Sequence, residues 1–308
     1  MKRMSFNEGW CYGHLNEDWR KEVTLPHDAM IYENRTADSP GGKNTGWYEG
    51  FDYVYEKSFD VPAEWKKGDV VLEFEGVYRN AKVYLNGQLA GGCAYGYTTF
   101  FVDAGKFLNY GGKNEIRVEA FNADQPNSRW YSGAGIYRPV WLCTMPKAHI
   151  EMRGIKIKTL SYDPPRFTVT VNTNAAGKVV AEIVDGDMLV ASQSAESGGQ
   201  AVFDFTLPGA KLWSPESPNL YTCRVTFGSD VREEEFGIRL LECDAKGGMR
   251  INGNRVILRG ACIHHENGIL GAVNHPFADT RKIELLKEYG YNAIRSAHNP
   301  TSLATLKA

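Results

Sequence analysis

Apolar and polar positions alternate along most of the chain as far as Leu241. Phe51-Asp-Tyr-Val-Tyr-Glu-Lys-Ser-Phe59, Val70-Val-Leu-Glu-Phe-Glu-Gly76, Ala81-Lys-Val-Tyr-Leu85 and Asn114-Glu-Ile-Arg-Val-Glu-Ala-Phe121 each have the period of a strand with one buried face. Asn86-Gly87 supplies a tight hairpin turn. Many short strands with Gly- and Asn-rich turns predict a β-sandwich of jelly-roll type over residues 1–147. Pro146 and Lys147 mark a boundary. Strand patterns then resume at residues 150–158, 166–172, 179–184, 201–207 and 221–227. Turn signals about every ten residues predict an immunoglobulin-like sandwich over 148–241. Trp213 lies near two prolines that hold the chain extended, and reads as a packing residue.

From Glu242 the pattern changes. Met249 to Val256 reads as a hairpin around Asn-Gly-Asn. Val256 to Cys262 is a short apolar run with Gly260 inside it. It predicts a strand buried on both faces, with Gly where another backbone approaches. Asp279 or Thr280 can cap a helix in which Ile283, Leu286 and Tyr289 share a face, and Gly290 can end it. Asn292 to Ser296 predicts a second strand, and Asn299-Pro300 the cap of a second helix. The fold class is therefore mainly β, with the first β/α units of a parallel array over 242–308. A closed (β/α)₈ barrel takes about 250 residues. The array is expected to be incomplete and to expose its edges.

The polar residues of this last part fall where such arrays place chemistry. His264, His265 and Glu266 follow the first strand, His298 follows the second, and Arg295 lies within it. Strand carboxyl ends face the active site in parallel barrels. One His there is ordinarily a loop residue. Three His and a Glu at two consecutive strand ends favour a site.

These pieces resemble glycoside hydrolase family 2, which includes β-galactosidases, β-glucuronidases and β-mannosidases. The matching residues are Ile251-Asn-Gly, Leu258-Arg-Gly, His264, Asn292-Ala-Ile-Arg295 and His298-Asn-Pro300. The resemblance extends to Trp19, Leu25-Pro-His-Asp28, Gly46-Trp-Tyr48, Asn86-Gly87 and Ser132-Gly-Ala-Gly-Ile-Tyr-Arg-Pro-Val-Trp141. It reaches the middle of the chain through Trp213 to Tyr221 and Phe236-Gly-Ile-Arg239. Arg138 can tie a loop to a carboxylate or carbonyl, and Gly133 and Gly135 permit a tight backbone path.

The resemblance implies a retaining hydrolase of β-glycosides, with β-galactosides first among the substrates. His264 and His298 would bind sugar hydroxyls, since a neutral imidazole both donates and accepts. Arg295 would lie beside the nucleophile and lower its pKa. His265, Glu266 and Asn299 would line the pocket, Asn299 standing where Tyr is common. Retention needs two carboxyls about 5 Å apart. In the family both are Glu residues of later strands, so no catalytic residue is expected before Ala308 and the chain alone should be inactive. The family's jelly roll reaches the sugar through an Asp, and Arg129 stands at that position here. Arg129 and Trp130 could bind hydroxyls or only pack the interface. The competing reading is a non-catalytic carbohydrate-binding or scaffolding module.

Composition narrows the rest. A net charge of −2 gives no attraction for nucleic acid or a membrane surface. No apolar run reaches spanning length, and the start is not a secretory signal. The six Cys lack metal or disulfide spacing and read as reduced thiols of a cytoplasmic protein, unless a leader was removed earlier. His264, His265, Glu266, His275 and His298 could be drawn as metal ligands. However, adjacent imidazoles point poorly at one ion and the helix-borne H-E-x-x-H pattern is absent. No cofactor is expected in this chain, although family members hold Mg²⁺ or Na⁺ through residues further on. Carbohydrate is the expected partner. A homo-oligomer is compatible with the sequence, which is silent on subunit number.

Overall fold

The computed structural model describes residues 1–308, in two compact units. One comprises residues 2–144 and 259–308, the other Met1 and residues 145–258.

In the first unit a four-stranded and a six-stranded antiparallel sheet enclose one core. The six-stranded sheet is built around Tyr53–Val61, which pairs with Trp10–His14 on one side and Gly112–Ala120 on the other. Alternation sets the faces. Along Gly112–Ala120, Asn114, Ile116, Val118 and Ala120 are buried while Lys113 and Glu115 are exposed. Trp10, Tyr53, Tyr55, Phe74 and Leu85 fill the interior. The hairpin after Ala81–Leu85 turns at Asn86 and Gly87 with φ of 49° and 78°, the left-handed pair that a two-residue turn requires.

Residues 259–308 pack in the same unit. Gly260–Ile263 and Ala293–Ser296 form a two-stranded parallel sheet, joined by the helix Pro276–Glu288. A Cβ on Gly260 would lie 2.3 Å from the Ala293 carbonyl oxygen, which explains the glycine. Three expectations are corrected. The first strand is Gly260–Ile263 and is mostly exposed, because the sheet has only these two strands and no layer on both faces. The helix starts at Pro276 after His275, so Asp279 lies inside the first turn and turns its carboxylate to Asn267 and Ser302. The last helix, Leu303–Lys307, is capped by Ser302, whose hydroxyl accepts from the Thr305 N–H, rather than by Asn299. Gly290, at φ 81°, follows the first helix as expected.

The second unit contains a three-stranded sheet facing a four-stranded one. Phe167, Val169 and Val171 of Pro165–Thr173 and Ala201, Phe203 and Phe205 of Gln200–Thr206 point into its core. The strands Met188–Ser197 and Asp230–Phe236 were missed from sequence. Each lies at a sheet edge and is largely exposed, so each lacks the alternation that reveals a strand. Trp213 packs against the Gly237 backbone with the Arg239 guanidinium over its ring. Leu241–Asp244, Gly248–Ile251 and Asn254–Arg255 form a small sheet in this unit. None of the six Cys forms a disulfide. No helix is long and apolar enough to cross a membrane.

Candidate functional site

The ends of the two parallel strands bring the imidazoles together. His264 directly follows Gly260–Ile263, and His298 stands two residues beyond Ala293–Ser296. Their ring centroids are 6.2 Å apart. The Trp130 indole lies edge-on to both, at 5.4 Å from His264 and 5.6 Å from His298. Its Nε1–H donates to the Tyr97 hydroxyl at 3.1 Å, which fixes the indole plane. Trp130 thus forms a shared wall for two imidazoles.

His265 points the other way. Its Nε2 meets the Ser132 carbonyl at 2.9 Å, and its ring packs against Tyr97 and Tyr137. Burial lowers its pKa to about 4, so at neutral pH it is an uncharged donor to that carbonyl. It anchors the loop bearing Trp130. Asn299 Oδ1 accepts from the Tyr95 hydroxyl. The Glu266 carbonyl accepts from Lys282 at 2.8 Å. Arg295 is exposed, with Nη1 3.5 Å from Cys262 Sγ on the paired strand. Arg129 is exposed beside the cluster's Trp130.

Three side-chain atoms here are buried without a protein partner: His264 Nδ1, Glu266 Oε2 and Asn299 Nδ2. Buried polar atoms are normally paired, and His264 and Asn299 line one small cavity, which signals groups that bind something else. The cavities against His264 and His265 are small, about 10 Å³ each. A wider concavity, about 740 Å³, lies on the outer face of the six-stranded sheet. Four of its charges satisfy one another: Arg20 bonds Glu56 at 2.8 Å, and Arg117 bonds Glu56 at 2.5 Å and Glu119 at 3.1 Å. No three His, Cys, Asp or Glu side chains gather to hold a metal ion.

Two buried residues support the cluster, and the sequence offers a role only for Arg138, as a tie between a loop and a carboxylate or carbonyl. Arg138 donates to the carbonyls of Tyr97 and Pro300 at 3.0 and 2.9 Å, holding the segment after His298. Asp28 is fully buried. Its Oδ1 accepts from the Met30 and Ala134 N–H groups, and its Oδ2 from the Tyr131 hydroxyl and the Ala272 N–H. Burial raises its pKa above the ordinary Asp value, and the four donors work against that rise. For Asp28 the words Leu25-Pro-His-Asp28 and Ser132-Gly-Ala-Gly135 were the only signals in the sequence.

Two sandwiches and a βαβα segment with strand-end imidazoles define the class to which the comparisons then point. The family model described as glycosyl hydrolase 2 galactose-binding domain-like matches residues 27–150, and that described as glycosyl hydrolases family 2 matches residues 149–239. Together these cover more than half of the chain, which belongs to glycoside hydrolase family 2. It is 34% identical to the β-galactosidase BoGH2A of Bacteroides ovatus over 97% of this chain and 39% of that protein. Against a β-galactosidase of Thermoanaerobacter pseudethanolicus the identity is 26%, over 98% of this chain and 44% of that protein. A crystal structure of a family 2 member from Bacteroides cellulosilyticus superposes with a TM-score of 0.91 at 30% identity, covering 100% of this chain and 44% of that one. The chain thus spans less than half the length of these three relatives.

Proposed function

We propose that this chain forms the N-terminal part of a retaining glycoside hydrolase that acts on β-glycosides, with β-galactosides as the first substrates to test. The observation that carries the reading is the convergence of His264 and His298 on Trp130 at the ends of two adjacent parallel strands. Two imidazoles and an indole wall suit a polyhydroxylated ring, with aromatic contact on one side and donor–acceptor groups on the other. His264, His298 and Trp130 bind sugar. Arg129 supplies further donors at the rim, and Arg295 sits beside the nucleophile. Glu266 is the only carboxylate among the strand-end residues. The two carboxyls that retention requires, about 5 Å apart, come from strands outside these residues.

The whole protein should hydrolyse a chromogenic β-galactoside, β-glucuronide or β-mannoside, and the 308-residue chain should not. Turnover by the chain alone would contradict the division of the site. A whole protein inert towards all three substrates would favour the scaffolding reading, against which the glycosidase relatives now weigh.

A further inference from the structure

The geometry points to Asp28 as the positioning residue of this site, setting the loop that carries Trp130 against the loop that follows His264. The inference rests on reading the imidazole cluster as a sugar subsite. Asp28 belongs to neither loop, yet its carboxylate joins both. Tyr131, next to Trp130, donates to Oδ2 at 2.6 Å, and the Ala134 N–H donates to Oδ1 at 2.9 Å. The Ala272 N–H, beyond the turn after His264, donates to Oδ2 at 2.8 Å. That turn is closed on itself by the Asn267 N–H donating to the Gly271 carbonyl at 2.7 Å.

The surroundings are shaped to admit this one side chain. A Cβ on Gly271 would lie 2.3 Å from Asp28 Oδ2. A Cβ on Gly133 would lie 2.8 Å from the same oxygen and 2.4 Å from the Ala272 Cβ. Both glycines have positive φ, 60° and 67°. Three separate segments therefore meet at one carboxylate, and two of them lack side chains where it sits. All four acceptor positions of a carboxylate are occupied by donors, so no isosteric neutral group can reproduce them. Asp28 reaches the sugar only through Trp130 and the His264 loop.

The test is Asp28→Asn in the 308-residue chain, with the Trp130 indole followed by NMR. The amide keeps the shape but turns an NH₂ towards two donors. Expected is a folded chain whose second-sandwich resonances are unchanged, while the magnetisation-transfer contacts from Trp130 to the His264 and His298 rings fall below detection. Contacts of wild-type intensity would overturn the proposal. Should Asp28→Asn fail to fold, Tyr131→Phe removes a single donor and carries the same readout, with undiminished Trp130–His264 contact again overturning it. In the whole protein, Asp28→Asn should lower kcat roughly tenfold to a hundredfold with KM changed much less, as a displaced wall costs alignment rather than binding. A kcat equal to wild type would also overturn it. An unmutated whole protein without glycosidase turnover would refute the proposed function instead, leaving the NMR result to decide the role of Asp28.

Discussion

The two sandwiches differ in what they bury besides hydrocarbon. The first encloses His27, Asp28, Glu73, Glu75, Asn122, Ser132 and Arg138. The second encloses a core led by Phe167, Phe203, Phe205 and Val225, with Asp230 as its one buried charge. Buried charges cost stability unless each is paired, so a fold that keeps many of them uses them for something other than holding itself together. In the first sandwich Glu73 and Glu75 accept from Arg3, while other buried polar groups hold loops. Arg138 holds the segment after His298, Asp28 the segment after His264, and Ser132 receives His265. In the second, Asp230 accepts from the Met1 amine, the Ile150 N–H and Arg232, all within its own unit. One sandwich is a mount for a site, and the other is a self-sufficient β-domain.

The sharpest way to break this contrast is a cavity in each. Phe167→Ala should destabilise the second unit by about 3–5 kcal/mol, measured by chemical unfolding, and leave the Trp130–imidazole contacts intact. If those contacts vanish as well, the self-sufficiency of the second sandwich is wrong. Gly135→Ala comes next. Its φ is 87°, and a Cβ there would lie 2.0 Å from the Tyr55 hydroxyl oxygen, so the first unit should lose about 2 kcal/mol or more.

Acid should then separate the units by pH. Burial lowers the pKa of His27 and of His265 to about 4, from the ordinary 6.5. Between these values the unfolded chain binds protons that the folded unit refuses. The stability these groups give is thus present above about pH 6.5 and lost as pH falls towards 4, on the order of 3 kcal/mol for each. Asp230 behaves otherwise. Burial pushes its pKa up, but the hydrogen bonds from the Met1 amine and Ile150 and the charge of Arg232 bring it below the ordinary 3.8. Its contribution holds above that value and fades only at lower pH. Urea unfolding followed by resonances of each unit should show the first weakening well before the second. Equal weakening would remove the distinction. The smallest effect is expected at Arg166–Asp204, an exposed cross-strand pair in the second sandwich, where Arg166→Ala should leave the melting temperature unchanged.

The strands of both cores were legible because a sheet with one wet face writes its period into the chain, as in Pro165–Thr173 and Gly112–Ala120. The strand-end imidazoles were legible too, since a parallel βαβ unit places strand termini on one rim whatever the loops do. The edge strand Met188–Ser197 was not, because exposure on both faces erases alternation. Nor was the true helix start at Pro276, because Asp279 has the chemistry of a cap but is drawn inward by Asn267 and Ser302.

By itself, then, the sequence determined the two β-sandwiches, the start of a parallel array and the residue types at its strand ends. Only the tertiary structure decided that His264 and His298 share Trp130, that His265 turns away to Ser132, and that Asp28 joins the loops between them. The reason is range. Periodicity and turn chemistry act over a few residues, whereas Asp28 and Ala272 meet across 244 positions. No local pattern records a hydrogen bond of that span.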